Sequence, residues 1–248
     1  MAYRAILFDL FDTLVRFDRH RLPEIRVDGR VVRSTAGHLH RIMAAAAPHV
    51  TLEALYAALL ESWKEAERLR AVDHREVAAP ERFAHLFRCL ALDPAACAPD
   101  LLPRLLEAHR RELSRAAEFP SHHRTLLRSL ARRYRLAVVS NFDYTPTALG
   151  ILETAGVAEL FDTIVVSDAF GWRKPARAIF DEALRRLGTP AADALFVGDR
   201  PDIDVAGAQA AGMHAVWLNP DRAALPPGLA PPEYEIRDLG ELARILGD

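Results

Sequence analysis

The sequence predicts a doubly wound α/β protein carrying a mainly helical insertion, and three observations lead there. Short continuous apolar runs recur along the chain, each closed by small or acidic residues. Helix-like segments alternate with them, and one long stretch after the first run has helical periodicity throughout. Apolar runs that do not alternate suit parallel strands covered on both faces. Alternating such strands with helices builds a parallel sheet flanked by helices.

The first run, Ala5-Ile6-Leu7-Phe8, ends at Asp9. Residues 17–117 then read as an inserted domain, with residues 1–16 and 118–248 forming the core. Within the insertion, Leu52, Leu55, Tyr56, Leu59, Leu60 and Trp63 recur at helical spacing in a segment from Thr51 to Arg70. The stretches from Pro80 to Leu92 and from Leu101 to Leu113 are also helix-like. The exception is EIRVDGRVV, Glu24 to Val32, where Asp28-Gly29 between β-prone residues predicts a hairpin. Glu118-Phe119-Pro120 marks the return to the core, and a helix is expected from His123 to Arg133. Further strands are expected at Leu136-Ala137-Val138-Val139, before Ser140-Asn141, and at Thr163-Ile164-Val165-Val166, before Ser167-Asp168. A helix from Ala176 to Leu187 stops at Gly188, as helix ends commonly do. Ala194-Leu195-Phe196-Val197 then runs into Gly198-Asp199, and the Pro- and Ala-rich stretch from Pro220 to Pro232 reads as a loop.

Charge and composition narrow the function classes. With 32 Lys plus Arg against 34 Asp plus Glu, no global field selects nucleic acid or a membrane surface. Cys89 and Cys97 form no CxxC pair, and no apolar stretch approaches the roughly 20 residues of a membrane helix. The N-terminal segment has no secretory pattern, since Asp9 and Asp12 interrupt its only apolar run. The expectation is a cytoplasmic protein acting on a small anionic molecule; no feature of the sequence fixes its oligomeric state.

In a doubly wound sheet, ligands bind beyond the carboxyl ends of the strands. The polar residues closing these runs are therefore expected to meet in one crevice. The segments FDLFDTL (8–14), VVSNFD (138–143), SDAFGWRKP (167–175) and VGDRPDIDVAGAQAAGM (197–213) stand there in order. Together they resemble the haloacid dehalogenase-like hydrolase superfamily, and the part from Ser140 to Met213 looks like the branch called haloacid dehalogenase-like hydrolase domain-containing proteins. The resemblance implies a Rossmann-like core with a helical cap inserted after the first strand.

A carboxylate can attack an electrophile and split a difficult hydrolysis into two steps. By the resemblance Asp9 is that nucleophile, Ser140 binds a phosphate oxygen with help from backbone amides near Asn141, and Lys174 supplies positive charge. Mg²⁺ takes octahedral oxygen donors. The resemblance assigns these to Asp9, the backbone carbonyl of Phe11 and Asp199, with Asp204 either a further ligand or an outer partner of metal-bound waters, leaving Asp202 to a surface or capping role. Lys174 is one of only two lysines in the chain, beside Lys64.

One position departs from the family's phosphatases. Two residues after the nucleophile they carry an acid that protonates the leaving oxygen; here that residue is Phe11. Asp12, three residues on, is expected in a turn, because side chains at odd and even offsets of an extended segment point to opposite faces. The main expectation is a Mg²⁺-dependent phosphatase forming an aspartyl-phosphate on Asp9. Two alternatives stand beside it: a metal-independent 2-haloacid dehalogenase, whose class also has an aromatic residue at this position, and a weakened hydrolase serving in binding or regulation. Substrate choice would sit in the cap, where His20, His38, His40, His74 and His85 show only a weak HxH pattern at 38–40. Arg26, Arg30 and Arg33 around the hairpin are candidates to face an anion or to form an ordinary polar edge.

Overall fold

The computed structural model describes residues 3–247. Ten strands follow in chain order: β1 (Ala5–Phe8), β2 (Arg16–Phe17), β3 (Glu24–Val27), β4 (Arg30–Arg33), β5 (Ala117–Glu118), β6 (Arg135–Ser140), β7 (Thr163–Val166), β8 (Ala194–Gly198), β9 (His214–Leu218) and β10 (Tyr234–Ile236). The chain divides into two compact units, one running to Arg16 and resuming at Phe119, the other spanning Phe17–Glu118.

In the first unit six strands form a parallel sheet in the order β10-β9-β8-β1-β6-β7. Alternate residues show why these strands read as continuous apolar runs. Ala5, Leu7, Ala137, Val139, Ala194, Phe196 and Ala215 join one buried cluster with Ile179, Phe180, Ala183, Leu184 and Leu187 of a helix, Arg177–Leu187. The intervening Ile6, Phe8, Leu136, Val138, Leu195 and Val197 are equally inaccessible. Both faces are covered, so a polar residue has no tolerable place until the strand ends. Phe180 meets Phe196 edge to face, with ring centroids 5.2 Å apart.

Sequence order also sets the crevice. β1 lies between β6 and β8; the chain winds outward to β7, then restarts at β8 on the other side of β1. The carboxyl ends of β1, β6 and β8 therefore flank the switch point, where connecting segments diverge and leave room for a ligand.

The expected strands are present, and two more, β9 and β10, extend the sheet. β10 is short and mostly exposed, and lacked the apolar run that marked the others. The expected helix from His123 lies at Ser121–Leu130, and Gly188 closes Arg177–Leu187 with φ +59°. In the second unit helices span Ala36–Ala46, Leu52–Asp73, Ala79–Cys89 and Leu101–Ala116. The first of these is Ala-rich and was not marked out in the sequence. β3 and β4 form the hairpin, with Asp28 and Gly29 both at positive φ, the geometry that Asp-Gly turns supply. Among the described residues no helix is long and apolar enough to cross a membrane, and both cysteines are free.

Candidate active site

Asp9 follows β1 directly, and its amide donates to the carbonyl of Val197 on β8 at 2.9 Å, so the sheet's register extends to it. The next residues turn sharply. The amides of Leu14 and Val15 both donate to the Leu10 carbonyl, and Asp12 adopts φ +58°. Asp12 is thus a turn residue, exposed where the chain folds back. Phe11 stacks on Phe142, with ring centroids 4.7 Å apart and planes inclined by 30°.

Lys174 reaches Asp9 from a loop 165 residues away, its Nζ 2.6 Å from Oδ1. The same ammonium lies 2.7 Å from Oδ1 of Asp204. Lys174 is 2% exposed and Asp204 1%, so this is a buried carboxylate-ammonium-carboxylate bridge. Asn141 seats the lysine: its Nδ2 donates to the Lys174 carbonyl at 2.9 Å, and its Oδ1 accepts the Lys174 amide at 2.7 Å. Both ends of the Asn141 side chain are therefore used in holding the loop.

Ser140 ends β6 fully buried, and its hydroxyl has no hydrogen-bond partner. A buried hydroxyl without a partner costs on the order of 1–3 kcal/mol, so it is either a strain or a ligand position. The amides expected to assist it are arranged differently. The following helix starts only at Thr145, the Phe142 amide donates to Ser167 Oγ, and the Thr145 amide donates to Asp168.

Asp199 and Asp204 come from the turn after β8. Pro201–Val205 forms a π-type turn, wider than an α-turn, with the Asp204 and Val205 amides both donating to the Arg200 carbonyl. Oδ2 of Asp204 accepts the Arg200 amide at 3.0 Å, and Asp202 pairs with the Arg200 side chain at the surface. Gly198 is required here because a Cβ on it would lie 2.4 Å from the Cβ of Asp204. The indole of Trp217 donates to the Asp199 carbonyl at 2.9 Å.

Asp9, Asp199 and Asp204 each offer an oxygen within 4.8 Å of the others. Burial, joined by repulsion from Asp9 and Asp204, pushes the Asp199 carboxyl up to about 7. Burial likewise raises Asp9 to about 6, against the pull of Lys174. Burial by itself would depress the Lys174 ammonium, but Asp204 and Asp9 outweigh it and hold it above the usual lysine value. Three carboxylates face one ammonium, and a hard divalent cation fits that oxygen donor set and that charge imbalance.

Of the residues singled out in the sequence, Asp9, Lys174, Asp199 and Asp204 come together at the switch point. The insertion's histidines do not form a metal set among the described residues: His38 Nδ1 lies 2.8 Å from Glu112 and His40 bonds the Val50 carbonyl. Arg33 pairs with Glu24 across its own hairpin. Trp217 shapes the site without having been marked out; it acts through a contact to the Asp199 carbonyl that its sequence neighbours do not encode.

Sheet order, strand-end carboxylates and a buried lysine define a hydrolase-type α/β site. The family model for haloacid dehalogenase-like hydrolases matches residues 3–212, and the chain belongs to that family of hydrolases. A phosphoserine phosphatase of Thermus thermophilus is 33% identical over 195 residues, covering 78% of this chain and 74% of that protein. Human haloacid dehalogenase-like hydrolase domain-containing protein 3 is 44% identical over 91 residues, 37% of this chain and 36% of its own length. Among solved structures, a 2-haloacid dehalogenase from Pseudomonas syringae superposes with a TM-score of 0.72 at 27% identity, covering 100% of this chain and 99% of that one. The matched segments span 50%, 74% and 54% of the lengths of three curated relatives.

Proposed function

We propose that this hydrolase is a Mg²⁺-dependent phosphatase acting on a small phosphorylated metabolite, with Asp9 as nucleophile. The observation that carries the reading is the charge imbalance at the switch point. Asp9, Asp199 and Asp204 lie within 4.8 Å of one another, and the Lys174 ammonium pairs with Asp9 and Asp204. The Thermus phosphoserine phosphatase supports it as a relative.

Asp9 and Asp199 are the carboxylates with open oxygens, and Asp204, engaged by Lys174 and the Arg200 amide, fits an outer position that orients them. The Phe11 carbonyl is the remaining donor in this proposal. When bound, Mg²⁺ would offset the charge of a phosphate dianion and of the carboxylate attacking it. A carboxylate oxygen of Asp9 attacks phosphorus, the bond to the leaving oxygen breaks, and an aspartyl-phosphate results. Lys174 holds the carboxylate in place and balances charge on the transferring group, while the Ser140 hydroxyl donates to a phosphoryl oxygen. Water then attacks the aspartyl-phosphate, releasing phosphate and restoring Asp9. With Phe11 in place of an acid, the leaving oxygen departs without a proton from that position, which favours substrates whose leaving group is already stable as an anion, such as acyl phosphates.

A second reading, metal-independent 2-haloacid dehalogenation, is favoured by Phe11 itself and by the Pseudomonas neighbour. The two separate on one assay: phosphate release from acetyl phosphate and p-nitrophenyl phosphate, with Mg²⁺ and with EDTA, beside halide release from chloroacetate. Phosphate release that EDTA abolishes supports the phosphatase. EDTA-resistant halide release that is lost in Asp9→Asn overturns it.

A further inference from the structure

His122, His123 and Asp238 form a second cluster of donor groups in the same unit, one ligand atom of each lying within 4.8 Å of the others. None of the three belongs to the proposed phosphatase machinery, and their chemistry differs from it. The side chains beside Asp9 offer carboxylate oxygens, whereas this cluster offers two imidazoles and a carboxylate.

Two of the three donors are held by contacts outside the cluster. His123, 5% exposed, directs its Nδ1 at the Leu14 carbonyl at 2.9 Å. A carbonyl can only accept, so Nδ1 carries the proton and Nε2 keeps its lone pair, the tautomer of a metal-ligating histidine whose other nitrogen is fixed by a backbone oxygen. Asp238 accepts the Gly240 amide on Oδ1 at 2.8 Å, which leaves Oδ2 to face His122 Nε2 at 3.3 Å. Tetrahedral coordination with bonds of about 2.1 Å places neighbouring ligand atoms about 3.4 Å apart. One edge of such a polyhedron is thus already at its working length, and the other two, within 4.8 Å, need closing by at most about 1.4 Å. Arg16 and the neighbouring imidazole oppose added positive charge on that ring, and Asp238 favours it.

We infer that His122, His123 and Asp238 form a binding site for a borderline divalent transition metal of the Zn²⁺ class, with three protein ligands and a solvent-facing fourth position. Imidazole-rich donor sets select Zn²⁺, Co²⁺, Ni²⁺ or Cu²⁺ over Mg²⁺. His123 also holds Leu14, whose amide bonds Leu10 next to Asp9, so an ion here would anchor the turn carrying Phe11.

The experiment uses the untagged full chain, Co²⁺ as a visible-absorbing probe, and saturating Mg²⁺ to fill carboxylate sites. The expected result is one equivalent of Co²⁺ with tetrahedral d–d absorption, displaced by Zn²⁺. Because His122 and Asp238 are exposed, His122→Ala and Asp238→Ala should stay folded by circular dichroism while binding at least about tenfold more weakly. Asp199→Asn should bind Co²⁺ like the wild type. Absence of stoichiometric Co²⁺ binding, unchanged affinity in both exposed-ligand variants, or loss of the band in Asp199→Asn would each overturn the assignment.

Discussion

Phe11 and Phe142 stack with ring centroids 4.7 Å apart, so the position two residues after Asp9 is occupied by one half of an aromatic pair. Phe142 follows Ser140 and Asn141 at the end of β6, and the contact joins the turns after two adjacent strands. An apolar pair thus stands where the family's phosphatases place an acid.

Replacing Phe11 with Asp tests what that pair withholds. General acid help is typically worth ~10²–10⁴ in rate. Phe11→Asp should raise turnover of an alkyl phosphate toward that range, with a much smaller gain on acetyl phosphate, and should cost about 0.5–1.5 kcal/mol of stability through the lost ring pair. Equal rates for wild type and variant on the alkyl ester would show that the proton comes from elsewhere.

Asp9→Asn should lower phosphate release by about 10⁴-fold or more while leaving the protein folded, as removal of a nucleophile generally does. The check is a steady-state rate together with acid-quenched labelling from a radiolabelled acyl phosphate. Only the wild type should trap the label, and labelled variant would move the nucleophile elsewhere.

Among the described residues, Lys174 is the one ammonium between Asp9 and Asp204. Breaking a buried pair by removing one partner typically costs about 3–5 kcal/mol, because the remaining charge has no compensation. Lys174→Met should show a loss of that size in denaturant unfolding at pH 7.5, and a smaller one at pH 5, where Asp9 takes up a proton. A loss below about 1 kcal/mol would mean the carboxylates do not depend on this ammonium.

The raised Asp9 and Asp199 carboxyls, at about 6 and about 7, imply a pH dependence of definite sign. Between about pH 4 and 7 the folded chain keeps protons that the unfolded chain has released. Stability contributed by these groups therefore falls as pH rises through that window in EDTA, and is lowest above it. Mg²⁺ needs the ionised forms, so its effect on Tm should grow from nothing near pH 5 to its maximum near pH 8. Asp199→Asn should flatten the EDTA profile and abolish the Mg²⁺ gain. A Mg²⁺ gain independent of pH would contradict the assignment.

Gly198→Ala would place a Cβ 2.4 Å from Asp204, which must then move away from Lys174. Mg²⁺ affinity should weaken about tenfold or more while the sheet stays intact. Fluorescence of Trp217, whose indole bonds the Asp199 carbonyl, gives the titration readout. Wild-type affinity would show that Asp204 does not support the site.

The sequence by itself determined the sheet and its functional edge. Runs such as Ala5–Phe8 and Ala194–Gly198 are apolar at every position because both faces are buried, and the first polar residue after each, Asp9 or Asp199, must stand at a strand end. Strand order then gathers those ends, which made Asp9, Ser140 and Asp199 legible as a group, while Asp204 and Lys174 were reached through the family resemblance. Tertiary structure alone decided who touches whom. Lys174 bridges Asp9 and Asp204, Asn141 is engaged by the lysine's backbone, Phe142 lies against Phe11, and His122, His123 and Asp238 converge. Local propensity and periodicity record whether a residue is buried and on which face. Pairings between side chains tens to more than a hundred residues apart depend on strand register and loop path, and a single chain's pattern carries no term for either.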